Sequence, residues 1–148
     1  MDPREAILAR LLIVAGSIDA SLSQRRNETD VSGSNLPAVI LFDGEEVARD
    51  GDHVGRNALT PRHVDMTPEV QFRLEGKAPE VGTKLNLLRA KLIDAVLADG
   101  ALLALTVNAR SIRYQGSMTA TERGRSMEGG IGVAFTFTYM LKPGELAA

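Results

Sequence analysis

Few residues in this chain have the types and spacing that chemistry needs. Five acids and one arginine lie between Asp43 and Asp52, and two histidines, His53 and His63, follow them. Such a stretch suggests metal ligation or carboxylate acid–base work. Asp50-Gly51-Asp52 hints at a calcium loop, but the alternating oxygen ligands and closing Glu of such a loop are missing. Two His ten residues apart on a loop have no ligand geometry to recommend them. Glu45-Glu46 could exchange protons with a substrate, yet in a charge run a carboxylate pair reads as a solvated face. Gly129-Gly130-Ile131-Gly132 is glycine-rich but leads into a strand, whereas a dinucleotide loop leads from a strand into a helix. Serines are plentiful without a nucleophile elbow. No catalytic, cofactor-binding or metal-ligating residue is predicted, and the chain reads as a non-enzyme.

The charges are better read as contacts. Glu45, Glu46, Arg49, Asp50 and Asp52 sit on one long segment, and Arg113, Arg123, Arg125 and Met127 gather at a later hairpin. The arginines are either solubilising charges or a basic contact for an acidic partner, such as the acidic segment of a neighbouring copy. Arg25-Arg26 reads as two solvated arginines.

The element that must position these groups is Met127 to Leu141. From Ile131 it alternates for eleven residues, with Ile131, Val133, Phe135, Phe137, Tyr139 and Leu141 on one face. Period two with aromatic and β-branched residues is a strand with a buried face. The other face, Gly132, Ala134, Thr136, Thr138 and Met140, is uncharged, which predicts cover there by a helix or a partner subunit.

The rest of the chain supplies its packing partners. Asp2-Pro3-Arg4-Glu5 is a helix start, and Ile7, Leu11, Val14 and Ile18 form an apolar stripe. Ser21 to Asn35 reads as an exposed loop. Pro37 to Phe42 is a strand buried on both faces, closed by a turn at Asp43-Gly44. Glu45 to Asp65 reads as a long irregular arm that serves interaction. Met66 to Glu75 alternates again, with Pro68 suggesting a sheet edge. Gly76 to Gly82 reads as a connection, and Thr83 as the cap of a helix running from Lys84 to a stop at Asp99-Gly100. Ala101 to Leu105 suits one further helical turn. Ser111 to Thr121 forms a hairpin with the strand from Ile131. The predicted fold is one α+β domain over residues 1–148. Its mixed or antiparallel sheet has four or more strands, two main helices lie on one face, and the arm spans about 43–65.

Composition agrees. The chain has 148 residues, 44% hydrophobic and 24% charged, which suits one soluble domain. A net charge of −2 leaves no global footprint for nucleic acid. With no cysteine, disulfides and thiolate metal sites are excluded. The run Leu11 to Ala15 is too short for a signal-peptide core and nothing approaches a membrane span, so a soluble protein made in the cytoplasm is expected.

The last third, IRYQGSMTATERGRSMEGGIGVAFTFTYML, resembles the closing hairpin of the tail terminator (tail completion) proteins of long-tailed bacteriophages. Ile112-Arg113-Tyr114 takes the place of the family's basic, aromatic strand. Phe135-Thr136-Phe137-Thr138-Tyr139 takes that of its alternating threonine–aromatic strand. The helix, the Pro37-Ala38-Val39-Ile40 strand, the Pro68 to Leu74 strand and the long helix follow in the family's order. The arm from Glu45 to Asp65 has no clear place in that pattern. The resemblance implies a virion protein, without cofactor, that forms a homohexameric ring on the head-proximal end of the tail tube. Its partners would be itself, the tube protein and a neck or head-completion protein. DNA would pass through the lumen without sequence-specific binding, and no membrane is involved. Gene transfer agents use related proteins. A neck protein of the same particle and a non-viral small-ligand or peptide-binding module are the alternatives.

Overall fold

The computed structural model describes residues 1–31, 33–49, 57–122 and 127–147, with the backbone alone at residues 78, 121, 122 and 127. Helix α1 spans Pro3–Gly16. The Asp2 carboxylate accepts the Arg4 amide at 3.0 Å, and Pro3 sits in the first turn, where helical amides lack partners anyway. Ile7, Leu8, Leu11, Val14 and Ala15 form its buried face.

Ser21 to Asn35 is not all loop. Ser23–Arg26 is strand β1, paired in parallel with β2, Ala38–Ala48. No apolar periodicity announces β1, because Ser-Gln-Arg-Arg has no apolar residue. Its anchor is Arg26, which reaches Glu5 of α1 at 2.7 Å and Asp43 of β2 at 2.9 Å. Arg26 is therefore a clasp between helix and sheet, not a solvated charge. Arg25 faces Glu28 at 3.7 Å.

Ala38, Val39, Ile40 and Leu41 are fully buried, as their apolar run predicts. Asp43-Gly44 does not end the strand. The register with β3, Arg62–Gly76, shifts between Phe42 and Glu45, and β2 continues to Ala48. Gly44 has φ +72, the left-handed region that a bulge residue uses and glycine tolerates. Both flanks of the predicted irregular arm are therefore paired strand, with Glu46 opposite Met66 and Ala48 opposite Val64. Pro68 marks no edge, since β3 is central, between β2 and β5. It lies beside the bulge, where it has no register partner in either neighbour, so its missing N–H costs no ladder bond.

Helix α2, Ala78–Ala98, begins before the predicted Thr83 cap. Pro79 in the first turn is the start signal, and the Thr83 hydroxyl donates to the Pro79 carbonyl inside the helix at 3.1 Å. Val81, Leu85, Leu88, Leu92 and Val96 are buried. Asp99 ends α2 and caps the short helix α3, Gly100–Ala104, by accepting the Leu102 amide at 2.9 Å. Arg10 of α1 grips both Asp99 oxygens, at 2.7 and 3.0 Å.

Strands β4, Ile112–Glu122, and β5, Met127–Leu141, form the expected antiparallel pair. The sheet has five strands in the order β1-β2-β3-β5-β4 and is mixed through its one parallel pair, so the fold is α+β. Its inner face joins the apolar stripes of α1 and α2 in one core. Each large side chain fully buried there contributes about 2 kcal/mol.

On the outer face of β5, Thr136 and Thr138 are buried, and among the described residues no helix supplies the cover. Both helices pack on the inner face, and side chains of β3 dress the outer one. Glu69 fills the space a Cβ on Gly132 would need. Thr67 and Thr136 share a hydroxyl hydrogen bond of 2.9 Å, and Thr138 donates to Asp65 at 2.5 Å.

Candidate assembly interface

One cluster lies on the outer face at the base of the β2–β3 hairpin. Arg49 follows β2 directly. Its guanidinium donates to both Asp65 oxygens at 3.0 and 3.2 Å and to Thr138 Oγ1 at 3.2 Å. The Arg49 hydrogen bond holds the Asp65 carboxyl below its ordinary range against the opposing effect of burial. Thr138 and the charge of Arg113 add to it. Arg113 is exposed on β4, opposite Thr136. Arg49 and Arg113, far apart in sequence, thus share one surface, and Asp65 and Thr138 link it to the sheet.

The other predicted contact residues separate. Glu45 is exposed on the outer face of β2, opposite Thr67. Glu46 points to the other side, where it accepts a hydrogen bond from the Tyr139 hydroxyl. Burial first, then Glu46, drives the Tyr139 hydroxyl far above its ordinary pKa, so this phenol stays protonated and serves structure. Met127 begins β5, with its backbone opposite Gly76. Asp50, Asp52, Arg123 and Arg125 lie outside the described residues, as does His53.

On the inner rim, Tyr114 of β4 meets Phe135 edge-on, with ring centroids 6.1 Å apart. Arg89 of α2 lies 5.7 Å from the Tyr114 ring centre. Ser117, at 2.6 Å, and then Arg89 favour the phenolate and lower the pKa of Tyr114.

Among the described residues no three His, Asp or Glu side chains gather to hold a metal ion. Gly129 to Gly132 lie within β5, paired on one side with β3 and on the other with β4. Their amides belong to a ladder and do not form a phosphate cradle. Among the described residues no helix is long and apolar enough to cross a membrane.

Two open grooves stand out among the described residues. One, of about 580 Å³, crosses the outer face between Thr29–Val31 and Met118, over Glu69, Arg73 and Gly130. The other, of about 790 Å³, runs along α2 over Leu22, Leu36, Pro37 and Leu74, and Lys77, Lys84 and Lys91 line it. Sequence reasoning passed over these lysines. Their signal was present: equal steps of seven residues return to nearly the same face of a helix.

The chain matches no protein-family model and no curated protein.

Proposed function

We propose that this protein is a tail terminator of a long-tailed bacteriophage or related particle. Six copies form a ring on the head-proximal end of the tail tube. The ring ends tube polymerisation, offers the joining surface to the neck protein, and lets DNA pass through its centre. The reading rests on the resemblance of the last third of the chain. The observation that carries it is the register of the closing hairpin. Arg113 stands opposite Thr136 and Tyr114 opposite Phe135, so the two stretches that bear the resemblance are direct cross-strand neighbours. Apart from the short strand β1 and the short helix α3, the order helix, strand, strand, long helix, hairpin agrees with the same family pattern. A surface that carries charges of both signs on separate elements suits a head-to-tail contact between copies, as a ring requires.

The test is deletion of the gene in the phage that encodes it, with electron microscopy of the lysate. Overlong, headless tubes are the expected result. Normal-length tails beside filled heads would assign the protein to the neck instead. Intact infectious particles would refute any role in tail completion.

A further inference from the structure

Strand β4 is an edge, and little guards it. It pairs with β5 on one side, and the sheet ends at it on the other. The Ser111 carbonyl accepts the Thr138 amide at 3.0 Å, which fixes the alternation of the ladder. Arg113, Gly116, Met118 and Ala120 therefore bond to β5, while Tyr114, Ser117 and Thr119 turn their N–H and C=O groups to the open edge. Natural edge strands are commonly blunted by lysine, proline or a bulge. The β4 sequence has no lysine and no proline, and its bulge at Gln115 leaves Gly116 to Glu122 in unbroken register with β5. Ser117, Met118, Thr119 and Ala120 are all exposed. At 80%, Met118 is the most exposed large apolar side chain among the described residues. Arg89 of α2 reaches β4 on its inner side, at Ser117 and Tyr114, and leaves the edge open.

The same edge closes a row of like charges. The register sets Glu75 of β3 opposite Glu128 of β5, and Glu128 opposite Glu122 of β4. Like charges directly opposite one another destabilise a sheet. Among the described residues no ion pair engages Glu75 or Glu128. Arg113, near the other end of β4, is exposed on the outer face and also outside every ion pair described. Its charge acts on Asp65, whose own hydrogen-bond partner is Arg49. One strand thus carries an acid at one end, a spare cation at the other and a bare methionine between them.

We infer that β4 of one copy pairs antiparallel with β4 of a second copy about a two-fold axis at Met118. Counted around the bulge, this register keeps both the faces and the hydrogen-bond alternation of β4. Ser117 stands opposite Thr119 of the second copy and Tyr114 opposite Thr121, and each such pair exchanges N–H···O=C bonds. On the outer face Met118 covers Met118, Gly116 opposes Ala120, and Arg113 opposes Glu122 at both ends. Arg113 of each copy thereby closes the other's glutamate row. Moving the axis to Ser117 or Thr119 parts Met118 from Met118 and Arg113 from Glu122, so the side chains select the register. The contact is isologous and closes at two copies. It is independent of the ring, whose neighbours must meet head to tail.

The chain has no cysteine, so one introduced thiol reads the register. Met118→Cys, at the axis, faces its own copy with about 4.5 Å between Cα atoms, within the reach of a disulfide. Ala120→Cys lies about 14 Å along the strand from its copy. Mild oxidation should link the first and not the second. Sedimentation of the parent should show a concentration-dependent dimer. Thr119→Pro removes an edge N–H without touching the ladder to β5, so it should give monomer with a melting curve close to the parent's. Two Arg113–Glu122 pairs form per dimer, so Arg113→Glu should weaken association about tenfold. Adding Glu122→Arg should restore part of it. Parent protein that stays monomeric at every concentration would overturn the inference. So would equal linking through both thiols, which is random collision, or a dimer that Thr119→Pro leaves intact. Hexamers in which Met118→Cys does not link would overturn it too, and would favour the ring.

Discussion

Gly44 sets the course of the β2–β3 hairpin, so Gly44→Ala tests how the hairpin is built. Two costs combine there. The residue has φ +72, which costs an L-residue about 1–2 kcal/mol. An added Cβ would also collide with the Thr67 carbonyl oxygen, and would stand 2.8 Å from the Thr67 carbonyl carbon and 3.1 Å from Pro68 Cα. Those are backbone atoms of a central strand, and Pro68 is rigid, so relief requires moving β3. Overpacking of that kind costs about 1–3 kcal/mol. The sum is about 2–5 kcal/mol, a large part of the 5–15 kcal/mol typical of a domain. At about 2–4 °C per kcal/mol for a chain of this size, the melting temperature should fall by about 4–20 °C. Thermal unfolding followed by circular dichroism is the assay. A Gly44→Ala protein that melts within about 2 °C of the parent would refute the reasoning, because neither the backbone strain nor the collision would then exist.

Other expectations follow from the same structure. Gly82→Ala, within α2 and with no atom near the new Cβ, should stabilise by about 0.5–1 kcal/mol and raise the melting temperature. Leu92→Ala, at a fully buried position under the sheet, should cost about 2–5 kcal/mol in denaturant unfolding. Acid should destabilise the fold through three carboxyls. Arg26, Arg49 and Arg10, each the leading cause at its site, hold Asp43, Asp65 and Asp99 below their ordinary values. Depressed folded pKa values mean that the stabilisation is complete above the unfolded value of about 4 and is lost as pH falls through the folded values. Melting temperature measured from pH 7 downward should hold to about pH 4 and then drop. Arg26→Met should soften that drop, since Asp43 then has less to lose. An unchanged acid limb would count against the clasp.

The apolar architecture was legible because period is a direct record of which face is buried. Ile131, Val133, Phe135, Phe137 and Tyr139 are all buried as their alternation predicts, and the stripes of both long helices meet them. What escaped was written in polar residues. β1 has no apolar period, and Arg26 holds it through Glu5 and Asp43, a pairing across three elements that no local window contains. Asp43-Gly44 has the composition of a turn and the geometry of a bulge. The two share a glycine at positive φ, and only the continuing partner strand tells them apart. Pro68 misled for the same reason, since its tolerance in a central strand depends on a bulge 25 residues away in sequence. At the candidate interface, Arg49 and Arg113 were legible as charges. Their meeting at Asp65 needed the register of four strands, β2, β3, β5 and β4. The lysine row on α2 was legible from spacing alone and was passed over.

The outer face of β5 shows where the fold does not place its stability. Its glycines, alanine and threonines suggested a second buried layer, because an uncharged strand face usually means cover. Here the small residues make room instead. Glu69 lies across Gly132, and Arg73 passes over Gly130 on its way to the Thr29 carbonyl. Asp65 and Thr67 take the hydroxyls of Thr138 and Thr136. Charged side chains of β3 thus lie flat on β5, tied to the sheet at their bases and wet at their tips. Stability resides in the inner face, where aromatic and branched residues are fully buried. The end of β2 beyond Gly44 and the lysine face of α2 contribute little to that core. Charge reversals at the exposed Glu45 or Lys84 should therefore leave unfolding within about 0.5 kcal/mol of the parent. Truncations at Phe72 or Leu92, both fully buried, should do the opposite and cost several kcal/mol in denaturant unfolding.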